Sequence, residues 1–299
     1  MQKNTARGLI CALLATMVWS GNFILSRAVA QEIPPIQLNF WRWLLALICL
    51  LPFAWRHLRA DWPAMLREWR YLLLMGILGV GLLNPLVYKA GQTTESLNMA
   101  LLVPTAPMII MVLSRVLYGE AITPRRLCGL LLVLAGVLCV ISRGDWARLA
   151  AVRFTAGDFW ALGGAASFGA YSLFMRHRSG DVSALGFNVA TFVLGLLASV
   201  PFVVAEMICL PPPTMSPTVW CSIIYAGAGC STLAYWLWTV AVDDVGPVRA
   251  GFVYYTLPLF AAVQSVLLLG EEVLWAHLAG GACIVGGVVT ATLPSRFRG

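Results

Sequence analysis

Charge is scarce in this sequence. Of its 299 residues, 20 are Lys or Arg and 13 are Asp or Glu, 11% of the chain, where a soluble domain carries ~25%. With 60% of residues hydrophobic and a mean hydropathy of +0.83, there is too little charge to solvate a globule of this size. The expected solvent is lipid. Lysine is rarer still, two residues against eighteen Arg. The formal charge of +7 therefore does not describe a basic nucleic-acid face. Its Arg residues stand in short clusters between apolar runs, as orienting loop charges do, and no nucleic-acid partner is expected. Histidine numbers three: His57 and His177 fall in connectors and His277 near a helix start, so no His pair, HExxH or triad is visible. Eight cysteines are present, but Cys11, Cys49, Cys128, Cys139, Cys221, Cys230 and Cys283 lie in apolar runs at no CxxC spacing. Neither disulfides nor a metal site are expected, and no cofactor. An intramembrane enzyme would need a buried nucleophile with its base, paired Asp or metal ligands; Ser20 has no evident His or Lys partner, and no enzyme is expected.

What is present is ten apolar stretches, each near the ~20 residues a helix needs to cross ~30 Å of hydrocarbon. They run over 8–30, 35–55, 71–90, 95–115, 124–142, 157–177, 183–204, 217–242, 246–269 and 273–293. The runs are continuous and rich in Leu, Ala and Gly rather than alternating, so the expectation is an all-α polytopic membrane protein of ten transmembrane helices. The first run ends in Ala28-Val29-Ala30 like a signal peptide, but it is too long for an h-region and Asn22 and Arg27 interrupt it. With the N-terminus in the cytoplasm, fourteen basic residues fall inside against five outside (Arg27, Lys89, Arg143, Arg148, Arg153), Arg42 being embedded. Both termini are therefore expected on the cytoplasmic side. Short interfacial helices are expected at 62–70 and 143–153.

The sequence also repeats itself. A shift of 149 residues pairs Gly8 with Gly157, Arg27 with Arg176 and Pro52 with Pro201. A shift of 151 pairs Gly76 with Gly227, Pro107 with Pro258, Gly119-Glu120 with Gly270-Glu271, Gly129 with Gly280 and Gly136 with Gly287. Constant offsets through Gly and Pro are hard to obtain by chance. Residues 1–146 and 147–299 are thus read as two halves of five helices each. Five is odd, so the second half enters the membrane from the opposite side and the repeats are inverted. That is an architecture of secondary transporters, with substrate held near the midplane and access alternating between the two faces.

The paired Leu-Tyr-Gly-Glu at 117–120 and Leu-Leu-Gly-Glu at 268–271, each followed by a Gly-rich closing helix, resemble the drug/metabolite transporter superfamily. The segments Met17-Val18-Trp19-Ser20-Gly21-Asn22-Phe23 and Trp41-Arg42-Trp43-Leu44-Leu45-Ala46-Leu47 are similar to the opening helices of its EamA-type branch. The resemblance implies an inner-membrane metabolite exporter, commonly for amino acids, with aromatic and other neutral amino acids among the cargoes of some relatives. The second half departs at Phe168-Gly169-Ala170-Tyr171, where the Trp-Ser pair is missing, so the halves are expected to supply different walls.

Polar residues inside apolar helices nominate a site. Asn84 and Tyr88 lie one turn apart and map by the repeat onto Tyr235 and Thr239, with Trp236 and Trp238 alongside. Trp19 and Asn22 map onto Phe168 and Tyr171; Tyr254 and Tyr255 precede Pro258 as Thr105 precedes Pro107. These are expected to line a neutral, aromatic, hydrogen-bonding site for a small molecule, with interhelical hydrogen bonding as the structural alternative. Pro107 and Pro258 are expected to free a backbone carbonyl within a span, as static kinks or as hinges. Arg42, roughly 10 Å along its helix from Pro35, reads first as snorkelling to the outer interface between belt residues Trp41 and Trp43, and alternatively as a partner for a substrate carboxylate. No Asp or Glu falls near the centre of a run, Glu120, Glu206, Glu271, Glu272, Asp158, Asp243 and Asp244 all standing at run ends. A midplane proton relay is not legible; uncoupled exchange and coupling through an unrecognised residue both remain open. The same shortage of acid disfavours hydrophobic amines or drugs, the runner-up cargo. The protein is expected to act as a monomer in the bilayer.

Overall fold

The structure, a computed structural model, describes residues 4–29, 31–94, 96–150, 152–269 and 274–292. In chain order its helices are α1 (Thr5–Ala28), α2 (Pro35–Arg67), α3 (Trp69–Gly76), α4 (Leu83–Thr93), α5 (Ser96–Leu102), α6 (Ala106–Tyr118), α7 (Pro124–Ser142), α8 (Trp146–Ala150), α9 (Ala156–Phe174), α10 (Ala184–Cys209), α11 (Pro217–Ile224), α12 (Ala234–Val245), α13 (Pro247–Tyr254), α14 (Leu257–Leu269) and α15 (Trp275–Thr292). Among the described residues there is no strand. Seven helical stretches are long and apolar enough to cross a membrane. Of the remaining long ones, α9 and the continuous run 217–245 carry more Gly, Ser, Thr and aromatic residues, and α1 covers 24 residues.

Local chemistry sets the starts. Pro35, Pro124 and Pro217 each occupy a first helical position, where the missing N–H has no intrahelical acceptor to lose. Thr123, Ser183 and Ser216 cap α7, α10 and α11 by accepting from Arg126, Gly186 and Val219 N–H. At α6 the chain stops on Gly119 in the left-handed region (φ 66°), a conformation that a Cβ disfavours. Gly270 and Glu271 of the matching motif lie outside the described residues. One expectation is corrected at α2. No separate helix covers 62–70, because α2 continues through Pro52 and Pro63 to Arg67 and α3 follows after one residue. Its extended end is tied down by Asp61, whose carboxylate accepts from Ser183 N–H (2.9 Å) and Oγ (2.6 Å). The connector at 143–153 does hold a short helix, α8.

Two long runs lose their α-helical register in matching places. π-Helical stretches cover Ile77–Leu82 between α3 and α4 and Tyr225–Leu233 between α11 and α12. Widening the helix opens backbone carbonyls, and side chains occupy them. Ser167, Tyr235 and Asn39 donate to the carbonyls of Leu78, Gly79 and Val80 at 2.7, 2.7 and 3.1 Å. Trp19 Nε1 donates to Cys230 O at 2.9 Å and Thr232 Oγ1 to Gly227 O at 3.0 Å. Two further breaks, a 3₁₀ turn at Val103–Thr105 and a turn at Tyr255 and Thr256, precede α6 and α14. Pro107 and Pro258 are the second residues of those helices. Each proline thus lies inside one span-length helical stretch, Asn98–Tyr118 or Pro247–Leu267, directly after a local break in it.

Helices of the first half pack chiefly on helices of the second: α7 with α15, α2 with α10, α1 with α12 and α4 with α9. At the α7–α15 seam a Cβ on Gly129 would stand 2.7 Å from Gly287 O, and one on Gly136 2.6 Å from Gly280 O. Only glycine permits that approach. The outside is apolar, and polar side chains are buried within the core. Phe53, Phe154, Phe159, Ile208 and Leu267 are more than 70% exposed, whereas Asn39, Arg42, Asn188, Thr191, Ser231 and Thr239 are at most 1% exposed. An apolar exterior is what a lipid solvent selects.

A candidate substrate site around Arg42

Arg42 projects inward from α2 and is 1% exposed. Its Nε donates to Ser231 Oγ at 3.0 Å; one terminal nitrogen donates to Asn84 Oδ1 at 3.0 Å and Tyr88 Oη at 2.5 Å. The guanidinium also stands 5.5 Å from the Trp43 ring centroid. The interfacial snorkel is therefore corrected, since three polar acceptors inside the bundle draw the side chain inward. Trp43 is not a belt residue either: it is fully buried, and its Nε1 donates to Asn39 Oδ1 at 2.9 Å. No ion pair of Arg42 occurs among the described residues, and its hydrogen-bond partners are neutral. A buried cation paired only with dipoles is incompletely compensated, which makes the place a candidate site.

Beside this polar cluster lies an aromatic one. The Trp19 ring meets Phe168, Tyr235, Trp238 and Tyr254 at centroid distances of 5.4, 5.6, 5.3 and 5.9 Å. Tyr235 connects the two clusters, edge-on to Trp43 at 4.8 Å. Tyr171 stands 5.7 Å from Tyr235, and its hydroxyl is buried without a hydrogen-bond partner. Trp238 Nε1 donates to Ser172 Oγ at 3.1 Å. Asn22 joins the polar side by accepting weakly from the Tyr88 hydroxyl at 3.5 Å.

The structure thus gathers Asn22, Asn84 and Tyr88 around Arg42, and Phe168, Tyr235, Trp238 and Tyr254 around Trp19 with Tyr171 beside Tyr235; Tyr235 and Trp43 join the two clusters. Three expected residues fall elsewhere. Trp236 is 38% exposed, because two residues along a helix from Trp238 turns it to the outer face. Tyr255, one residue beyond Tyr254, points into a separate core with Ile110, Met111, Val133 and Phe252. Thr105 is half-buried and spends its hydroxyl on Leu102 O at 2.6 Å. Sequence reasoning missed Ser231, Trp43, Asn39 and the carbonyls of the π-helical stretches. The Asn39–Trp43 pair at i,i+4 was a usable signal; Ser231 gave none.

The fold is that of a polytopic helical membrane protein with a buried polar and aromatic cluster where its helices meet. The chain belongs to the EamA-like transporter family, whose model matches twice, over residues 6–142 and 155–293. It is a membrane transporter. An uncharacterized transporter of Archaeoglobus fulgidus is 26% identical over 97% of this chain and 98% of its own length. The aromatic amino acid exporter YddG of Ancylobacter novellus is 26% identical over 64% of each chain. A protein of known crystal structure superposes with a TM-score of 0.78 at 20% identity, covering 97% of both chains.

Proposed function

We propose that this transporter exports neutral or aromatic amino acids across the bacterial inner membrane by alternating access. The observation that carries the reading is the juxtaposition of one buried, uncompensated guanidinium with a cluster of aromatic rings. Arg42 supplies a charge-assisted partner for a carboxylate. Trp19, Phe168, Trp238 and Tyr254 supply an apolar surface for a side chain. The name of the Ancylobacter relative points to the same cargo.

In this reading ten helices span the membrane as two inverted halves, 1–146 and 147–299, with both termini cytoplasmic, and the protein works as a monomer without a cofactor. Reciprocal contacts support the inversion. Gly129 meets Gly287 while Gly136 meets Gly280, the partners that offsets of 151 require across a pseudo-twofold axis. Likewise Gly8 meets Asp244 while Gly157 meets Thr93, positions related by 149 and 151. A molecule whose halves contact each other symmetrically can exchange their conformations, and that exchange opens the site to the opposite side. Pro107 and Pro258, at the matched interruptions, are the hinges. Counterflow in proteoliposomes against labelled amino acids, nucleosides and quaternary amines tests the reading. Uptake of neutral and aromatic amino acids is expected; uptake confined to amines would refute it.

A further inference from the structure

We infer that the site reads the carboxylate of its substrate and leaves the amino group unread, so that 2-hydroxy and 2-oxo acids with aromatic side chains are carried as well as the amino acids. This rests on the proposed function and narrows its chemistry.

The argument is a count of donors and acceptors. A guanidinium only donates, so Asn84 must turn its Oδ1 toward Arg42. Its Nδ2 is thereby turned elsewhere, and that atom is buried with no hydrogen-bond partner. The Tyr88 and Ser231 hydroxyl oxygens accept from Arg42; Tyr88 gives its proton weakly to Asn22 Oδ1 at 3.5 Å, and Ser231 keeps one to give. What remains around Arg42 is therefore mainly donor capacity, beside a positive charge. That combination suits carboxylate oxygens.

An ammonium needs the reverse. It has three protons to place on acceptors and gains from a nearby carboxylate. The carbonyls opened by the π-helical stretches already receive Ser167, Tyr235, Asn39, Trp19 and Thr232. Asn22 Oδ1 is one weakly engaged acceptor and the unpartnered Tyr171 hydroxyl another, both neutral. Among the described residues, the buried acids Asp61, Asp158 and Asp244 are held by Ser183, by Thr94 and Asn98, and by Arg7, and half-buried Glu120, Glu206 and Asp243 by Arg176, the start of α2 and Arg178. Charge balance agrees. A monoanion neutralises Arg42, whereas a zwitterion brings a second buried cation with no free buried carboxylate among the described residues to face it.

The test uses the purified full-length protein in proteoliposomes at pH 7.5, with protein-free vesicles as the leak control. Vesicles are preloaded with unlabelled L-phenylalanine, 3-phenyllactate or phenethylamine, and uptake of labelled L-phenylalanine and labelled 3-phenyllactate is followed. Each acid is expected to drive uptake of the other to a comparable extent, and phenethylamine to drive neither. Arg42→Ala is expected to lower both uptakes by about tenfold or more while eluting as the same monodisperse species. Arg42→Lys, which keeps the charge, checks that a loss in the Ala variant is not misfolding. Counterflow of phenylalanine without phenyllactate overturns this inference and leaves the amino-acid reading standing. Phenyllactate without phenylalanine supports the inference and removes that reading; phenethylamine alone, or no uptake of either acid, removes both.

Discussion

Arg42 shows how one residue takes its role from its neighbours. Asn84, Tyr88 and Ser231 supply it with oxygen acceptors but no negative charge, so a carboxylate introduced there should satisfy it permanently. Asn84→Asp is expected to leave the melting temperature in detergent unchanged or raised and to lower amino-acid counterflow by about tenfold, since an internal ion pair would compete with the substrate. Retained transport would show that Arg42 is structural. Outside the membrane, Glu120 pairs with Arg176 at 2.7 Å. Burial pushes its carboxyl up, but the hydrogen bond and charge of Arg176 with the charge of Arg126 outweigh it, and the net displacement is below the usual carboxylate range. The folded pKa is depressed, so the stabilisation is complete above the unfolded value of ~4.3 and fades as pH falls through the folded one. Glu120→Gln should accordingly lower the melting temperature slightly at pH 7, with the difference from wild type closing as the solution is acidified below pH ~4.

At the scale of elements, the interruptions are paired and the tight seam is glycine. The π-helical stretches place Gly79 and Cys230 carbonyls, 151 positions apart, within reach of Tyr235 and Trp19 from the opposite half. Helix register and site geometry are therefore one feature. Replacing both Pro107 and Pro258 by Ala is expected to slow counterflow while leaving substrate binding measurable by Trp fluorescence; unchanged transport would remove the hinge role. The α7–α15 seam makes a sharper demand. Gly287→Leu would drive a side chain into Gly129 O, 2.6 Å from the position of its Cβ, and into Val133. A loss of several kcal/mol, on the order of 3, should appear as a lower melting temperature and a broadened size-exclusion peak. Gly286→Ala, whose nearest neighbour is a Leu132 methyl at 3.5 Å, should be near neutral.

At the scale of the molecule, the two ends of the bundle are closed by different chemistry. One end carries ion pairs: Arg7 on Asp244 at 2.7 and 2.9 Å, Arg178 on Asp243, Arg67 on Asp181 at 2.9 Å and Arg176 on Glu120. At the other, Asp158 is held by Thr94 and Asn98 and Glu206 by the backbone N–H of Gln37, beside an exposed Arg148–Asp145 ion pair at 3.8 Å. Screening weakens ion pairs more than these hydrogen bonds. Asp244→Asn is expected to favour opening at the ionic end. In a variant whose sole cysteine is Cys11, one turn beyond Arg7, maleimide labelling should then accelerate; an unchanged rate would show that these pairs do not gate access.

Much of this was determined by the sequence alone. Apolar run length predicted the helical segments to within a few residues, because burying helix backbone in lipid admits few other solutions. The exception was α2, where Asp61 bonds across to Ser183 and extends the helix past its apolar run. Constant offsets of Gly and Pro marked the two halves, since close contact tolerates few residue types. The facing of individual side chains was decided by tertiary structure. The repeat proposed Trp236 with Trp238 and Tyr255 with Tyr254, yet one helical step turns a side chain by about 100° and two by about 200°, and only packing fixed which of each pair turns inward. Arg42 is the clearest case. Whether a cation near a helix end reaches for water or for the interior depends on acceptors that Asn84 and Tyr88 bring from one helical run and Ser231 from another, 189 residues away in sequence. No local pattern encodes that meeting, and the proposed chemistry of the site depends on it.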